Sequence, residues 1–218
     1  MMRRFSALFA VLVALVATAT AAGRDPRLEQ VRLTAADNAL AGRISLTRGE
    51  VGAGFRKVTI PRSSYDSQLR CPGYSPNLSR FTITGKSTTA YVHASGVSIG
   101  SAVEVYESRA DAAGDFALGA TPAVARCLKL ALEQEIRAGA LLATVRSAKV
   151  VPAPHVGDRR IGYRVVAAVN TGVTTMKIYF DVLVVQRGRS IAALFFTAVN
   201  KPFGRQSALA AGVASRMR

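Results

Sequence analysis

TPAVARCLKLALEQEIR, residues 121–137, is the stretch around which the predicted fold is arranged. Apolar residues recur within it at three- and four-residue spacing, which is typical of a helix with one buried stripe. Thr121 is a suitable N-cap, and Pro122 suits the first helical position, where its missing N–H is no loss. Cys127 lies on the stripe, so we expect its side chain to point into the protein. The stripe consists of Val124, Cys127, Leu128, Ala131, Leu132 and Ile136.

The other cysteine, Cys71, lies in the turn-rich run Cys71-Pro72-Gly73-Tyr74. In an oxidising compartment, two cysteines most simply form one disulfide. A Cys71–Cys127 bridge would tie the helix to a segment that precedes most of the predicted sheet. The alternative is a buried free thiol at Cys127 and an unrelated exposed thiol at Cys71. Two sulfurs alone make a poor metal site, and His93 and His155 are not spaced to complete one, so we expect no metal and no cofactor.

The start of the chain has the pattern of a secretory signal peptide. The basic run Met1–Arg4 precedes the apolar run Ala7–Ala17, and Ala19-Thr20-Ala21 fits a small-residue cleavage site. We therefore expect a secreted, extracytoplasmic protein cleaved near Ala21. The alternative is a retained anchor, although the apolar run is short for a bilayer. No cysteine lies near the cleavage site, so a lipoprotein is not expected. The predicted organisation is signal peptide 1–21, N-terminal tail 22–32 and one domain 33–218.

The whole chain of 218 residues carries a formal net charge of +16. A basic secreted protein is attracted to anionic surfaces, so the expected partners are an anionic wall polymer, a lipid surface or another envelope protein. The basic residues are scattered singly and form no recognisable nucleic-acid module, so specific nucleic-acid binding is not expected. The alternative is an arginine-rich, solvated surface with no functional anion site.

Apolar alternation predicts a run of strands in the second half of the chain. Ser190–Val199 is apolar on both faces, which is typical of a central strand covered on both sides. Segregated strands joined by tight turns indicate a single-domain α+β fold, with an antiparallel sheet flanked by helices on both faces. The predicted strands are Phe81–Ile83, Thr88–His93, Val97–Val105, Leu142–Val151, Ile161–Val169, Met176–Gln186 and Ser190–Val199. The other predicted helices are Thr34–Arg43, Arg109–Leu118 and one around Leu209–Met217, and loops are expected at Gly49–Phe55 and Pro61–Ser79.

Several of these segments resemble a known family. They are the secreted start, the helix Thr34–Arg43, the CPGY loop at Cys71–Tyr74 and the Ala125–Leu128 helix. They also include the strand Ala102–Tyr106 followed by Ser108–Ala112, and the hairpin Asp181–Arg189. The chain thereby resembles the actinobacterial extracytoplasmic domains related to the PknH-type kinase sensor domain and to the LpqN-type lipoproteins. The resemblance implies a PsbP-like α/β/α sandwich and a non-enzymatic sensing or binding module of the cell envelope. It also implies the Cys71–Cys127 bridge, whereas the ligand-binding residues stay unknown.

One motif favours a different function. Gly96-Val97-Ser98-Ile99-Gly100 matches the G-x-S-x-G nucleophile elbow, in which a serine sits between a strand and a helix. Asp115 or Asp181 with His155 would complete a triad, which makes a small secreted serine hydrolase the alternative function. A strand follows Ser98 in the prediction, so we expect the motif to be a Gly/Ser-rich strand start and the protein not to be an enzyme. His93 and the carboxylates Glu104, Glu107, Glu133 and Glu135 give no coherent catalytic group either.

Overall fold

The computed structural model describes residues 26–59, 69–138, 143–170 and 173–217. The predicted signal peptide 1–21 with its cleavage site lies outside these residues, as does the first part of the predicted loop Pro61–Ser79. The strands are β1 (Gln30–Val31), β2 (Phe55–Val58), β3 (Thr82–His93), β4 (Ser98–Tyr106), β5 (Ala143–Val151), β6 (Arg159–Asn170), β7 (Thr175–Arg187) and β8 (Ser190–Val199). The helices are α1 (Ala35–Ile44), α2 (Arg48–Val51), α3 (Arg109–Gly119), α4 (Pro122–Ala138) and α5 (Gln206–Arg216).

The described strands form one sheet in the order β1-β3-β4-β8-β7-β6-β5, and β2 also pairs with β3. β5 to β8 form an antiparallel meander in which each strand pairs with the next. β4 pairs with β8 and β3 with β4, also antiparallel. β1 pairs with β3 in parallel, so the predicted N-terminal tail 22–32 contributes two residues to the sheet. The α+β prediction is confirmed, with this one parallel pair as an addition.

Helices cover both surfaces of the sheet. α1, α2 and α5 share one hydrophobic core with the sheet, whereas α3 and α4 pack into cores on the other surface. β8 contributes to both, because Leu194 and Phe196 lie in the first core and Phe195 packs on the α4 side. β8 also lies in the middle of the strand order, which confirms the prediction of a central strand covered on both sides. None of the helices in the described part of the chain has the length and apolar character of a membrane span.

α4 has the predicted position and buried stripe, but its predicted cap is wrong. Val124, Cys127, Leu132 and Ile136 are buried against β5, β6 and β7. The Thr121 hydroxyl is buried and accepts no hydrogen bond from the first turn of the helix. The Val124 N–H donates instead to the backbone carbonyl of Thr121, at 3.1 Å. The helix therefore depends on packing, on Pro122 and on its covalent attachment.

α1 begins as predicted. The Thr34 hydroxyl accepts a hydrogen bond from the Asp37 N–H at 3.1 Å, which caps the helix. The Thr34 N–H donates to the Thr84 carbonyl at 2.8 Å. The Asp37 carboxylate accepts hydrogen bonds on both oxygens from Arg189 in the β7–β8 turn. These hydrogen bonds hold the pKa of Asp37 at about 2, below its usual 3.8. The Arg187-Gly188-Arg189 turn, part of the family resemblance, thus fastens α1 to the sheet.

Two predicted segment boundaries are wrong for the same reason. Phe81–Ile83 and Thr88–His93 belong to one strand, β3, which runs through Gly85 with a register shift between Ile83 and Gly85. The Gly49–Phe55 stretch, predicted as a loop, contains the short helix α2 and the first residue of β2. Glycines conceal these elements because they interrupt the periodicity on which the predictions rest.

Gly85 is required because α1 approaches the β3 backbone there. A Cβ atom at this position would lie 2.3 Å from the carbonyl oxygen of Asp37. We expect Gly85→Ala to displace α1 and lower the free energy of unfolding by about 2 kcal/mol, as overpacking does. Urea denaturation followed by circular dichroism measures this loss. Gly42→Ala is the control, because a Cβ atom there meets no atom within 4 Å. An equal stability for the Gly85 variant and the wild type would contradict the expectation.

Candidate functional site

The G-x-S-x-G motif does not form a nucleophile elbow. Ser98 is the first residue of β4 and pairs with Val92 of β3 and Thr197 of β8. β4 then continues to Tyr106, so no helix begins after the serine, as the elbow requires. Of the possible triad partners, Asp181 is bound by Arg164, and His155 accepts a hydrogen bond from Arg160. Ser98, Ile99 and Gly100 are therefore ordinary strand positions, and Gly96 and Val97 lie in the turn before the strand.

The other predicted chemical groups have local partners. His93 bonds to Ser95 at 2.7 Å and packs on Phe55. Glu133 pairs with Lys129 along α4 at 3.7 Å. Across residues 26–59, 69–138, 143–170 and 173–217, no three His, Cys, Asp or Glu side chains are arranged to hold a metal ion.

The Cys71–Cys127 disulfide is present, with the two Cα atoms 5.3 Å apart. Cys127 is 1% exposed on the inner side of α4. Around the bridge, Cys71 and Tyr74 exchange backbone hydrogen bonds, and Arg126 of α4 donates to the Pro72 carbonyl at 3.4 Å. The CPGY turn is thus held on the end of α4 by a covalent bond and by polar contacts.

A second polar cluster lies between β4 and α3. The Tyr106 hydroxyl is 2.7 Å from Asp115 and 3.0 Å from Glu104, whose carboxylate pairs with Lys86 at 3.4 Å. A phenol has one proton, so the Tyr106 hydroxyl donates to one of the two carboxylates at a time, and the other lies close to it as a second acceptor. Burial raises the pKa of Asp115 to about 7, and the charges of Glu104 and Glu29 add to the increase. The hydrogen bond that Asp115 accepts from the Tyr106 hydroxyl lowers its pKa and offsets part of this increase.

A cavity of about 400 Å³ lies beside the edge strand β1. It is lined by Pro26, residues 28–32 and Ser79. Its charged lining residues are Glu29 and Arg32, whereas Tyr106, Asp115 and Glu104 do not line it.

The strongest candidate for a functional site is a part of the sheet surface that we call the open face. It consists of alternate residues of β5, β6 and β7, which the strand register places side by side on one surface. Lys149, Arg164 and Asp181 form one row across the strands, and Ser147, Val166 and Tyr179 form the next. The open face comprises Ser147, Lys149, Arg164, Val166, Lys177 and Tyr179, together with Ala168, which is buried between its neighbours.

The described helices leave this part of the sheet uncovered. α5 lies on the same surface but packs on β7 and β8, where Gln206 donates to Asp181 and Phe203 stacks on Phe196. The helix that packs on β5 and β6 is α4, and it lies on the opposite surface beside Tyr163 and Val165. Val166 and Tyr179 are half-buried and belong to none of the described hydrophobic cores. A surface of this kind is available to a partner.

The electrostatics of the open face are dominated by its cations. Arg164 donates two hydrogen bonds to the Asp181 carboxylate, of 2.6 and 3.0 Å. Its guanidinium lies 5.8 Å from the centre of the Tyr179 ring. The bond to this carboxylate raises the pKa of Arg164. Lys149 and Lys177 are exposed, and no ion pair to either is formed in the part of the chain that the structure describes. The open face therefore combines a fixed Arg–Asp–Tyr centre with two free ammonium groups.

Comparison with known proteins adds little to these observations. No family model matches this chain, and no curated protein is similar to it. A solved structure of an uncharacterized protein from Mycobacterium smegmatis, the Rv0999 ortholog, is similar over 83% of this chain and 97% of its own length. The two chains are 11% identical, with a TM-score of 0.44. Membership of the sensor-like family thus stays a prediction.

Sequence reasoning missed the open face although part of its signal is present. The sequence predicts β6 from the apolar odd-numbered residues between Ile161 and Val169. The open face is formed by the even-numbered residues of the same strand, Arg164, Val166 and Ala168, which lie on the opposite surface of the sheet. A charged residue followed by small apolar residues at alternate positions is typical of a half-exposed surface. Which strands a helix leaves uncovered depends on tertiary packing, and that could not be read from the strand itself.

Proposed function

We propose that the protein is a secreted, disulfide-stapled, non-enzymatic binding module of the bacterial cell envelope, with a sensor-like fold. The observation that carries this proposal is the open face, where polar, basic and aromatic side chains stand uncovered beside a well-packed core. The export pattern in the first 21 residues and the Cys71–Cys127 bridge support an oxidising location. The alternative, a serine hydrolase using Ser98, is less well supported because β4 continues through the motif.

The binding role can be tested by blocking the open face with a bulky side chain. Ser147 lies on the edge strand β5, beside Val166 of the open face, and is half-exposed, so Ser147→Trp adds an indole without entering the core. We expect this variant to be retained on isolated cell-envelope material about tenfold less than the wild type, which corresponds to ~1.4 kcal/mol. Retention is measured by sedimentation of the labelled protein with the envelope material.

The matched control is Gln134→Trp on the exposed side of α4, on the opposite surface of the sheet. The chain has no native tryptophan, so each variant contains a single indole and folding can be compared by its emission. Equal retention of the two variants and the wild type would show that the open face binds nothing in the envelope, and the proposal would then be abandoned.

A further inference from the structure

We infer that the open face binds a linear anionic polymer, an inference that rests on the proposed binding function. The charges of the face select an anion. Lys149 and Lys177 are exposed, and the acid on this part of the sheet, Asp181, is 1% exposed and occupied by Arg164 and Gln206. The backbone of a third exposed lysine, Lys201, lies near Lys177, because the N–H of the preceding Asn200 donates to the Lys177 carbonyl at 2.7 Å. Three exposed cations without an exposed acid attract negative charge.

The spacing of these cations favours an extended anionic polymer over a small ion as the ligand. Lys149 is in register with Arg164 and Asp181, whereas Lys177 lies two strands away and four residues along β7 from Asp181. Strand spacing and rise place the two lysine Cα atoms roughly 16 Å apart. Val166 and Tyr179 lie between them and offer no second charge. An extended polymer that carries repeated charges matches two cations at this spacing better than a single phosphate, which would require both lysine side chains to bend towards one point.

The shape of the open face favours an extended polymer over a membrane surface as the ligand. α5 is fastened to the same surface through the Gln206–Asp181 and Phe203–Phe196 contacts, so it rises beside the open face. An α-helix is about 10 Å in diameter, so α5 projects above the strands of the open face by about that distance. A flat bilayer would meet α5 before it reached Lys149 or Lys177. An extended polymer can lie against the strands beside the helix.

The aromatic group of the face is poorly placed for nucleic-acid bases. Single-stranded nucleic acids bind by stacking bases on exposed aromatic rings. The guanidinium of Arg164 lies over the Tyr179 ring, and Asp181 holds it there. One side of the ring is therefore occupied. The contacts that the face provides are charge contacts, which suit a polymer without bases.

The test is the binding of fluorescently labelled inorganic polyphosphate to the purified protein, followed by anisotropy at two salt concentrations. We expect the wild type to bind, and to bind more weakly at higher salt. The double variant Lys149→Ala/Lys177→Ala should bind about tenfold or more weakly. The matched control is Arg56→Ala/Lys57→Ala, which removes two exposed charges from β2 at the other edge of the sheet. It should lose no more than about threefold, since it changes only the net charge.

Four outcomes would overturn the inference. They are equal losses in the two double variants, competition by free orthophosphate as strong as that by the polymer, tighter binding to anionic vesicles, and tighter binding to a single-stranded oligonucleotide of equal charge. All four substituted residues are exposed, so thermal denaturation should show unchanged folding. Should Ser147→Trp abolish envelope retention while polyphosphate fails to bind, the open face would take another partner, and the binding function would stand without this ligand class.

Discussion

Replacing Cys71 by serine and Cys127 by alanine is expected to lower the free energy of unfolding by about 4 kcal/mol. The disulfide joins residues separated by 56 positions, and the chain-entropy model assigns a loop of this length roughly that stabilisation. Alanine is chosen at Cys127 because the side chain is 1% exposed and a serine hydroxyl there would be buried. Urea denaturation of the oxidised wild type and of the double variant measures the difference.

The reduced wild type provides the control for this prediction. Addition of a thiol reductant should bring its unfolding midpoint close to that of the double variant, because both then lack the same bond. The variant should not respond to the reductant at all. A wild type with the same midpoint in the presence and absence of reductant would contradict a stabilising role for the bridge. The CPGY turn should become more accessible to proteases in the variant, since only the Tyr74 and Arg126 contacts would then hold it.

The parts of the fold that could be predicted are those in which one strand or helix alone carries the pattern. β8 shows apolar residues on both faces, and α4 shows a stripe at helical spacing, so each indicates its own environment. α2 and β2 have four residues each, which is too short for a period to be visible. β3 was divided because Gly85 interrupts it.

The parts that could not be predicted depend on residues far apart in the chain. Arg189 binds Asp37 across 152 positions, and nothing near either residue indicates the other. The Tyr106 hydroxyl meets Asp115 only because α3 folds back on β4. The open face likewise exists because α5 covers β7 and β8 but not β5 and β6. Hydrophobic periodicity predicts which side of an element is buried, but it does not predict how far a neighbouring helix extends over a sheet.

Asp115→Asn is expected to stabilise the protein at pH 8 and to reduce its pH dependence between pH 4 and 8. Burial raises the pKa of Asp115 from 3.8 to about 7, so the folded state holds a proton that the unfolded state releases near pH 4. The stabilisation from that proton is complete below pH 4 and is lost as the pH rises towards 7. About three pH units correspond to at most ~4 kcal/mol, and on the order of 2 kcal/mol is expected for a half-buried group. An asparagine stays neutral at every pH, and its side-chain oxygen can still accept the hydrogen bond of the Tyr106 hydroxyl.

The pH dependence that Asp115 contributes to stability can be separated from that of Asp37. Asp37 has its pKa lowered to about 2 by Arg189, so its stabilisation is present above pH 4 and is lost only as the pH falls towards 2. Asp111→Asn, in the first turn of the same helix, is the matched control, because it removes one carboxylate from α3 without touching the Tyr106 cluster. Unfolding free energies from urea titrations at several pH values, together with the carboxyl ¹³C shift of Asp115, measure the outcome. If Asp115→Asn destabilises the protein equally at pH 5 and pH 8, then Asp115 is ionised throughout, and Tyr106 donates its single proton to one of two charged acids.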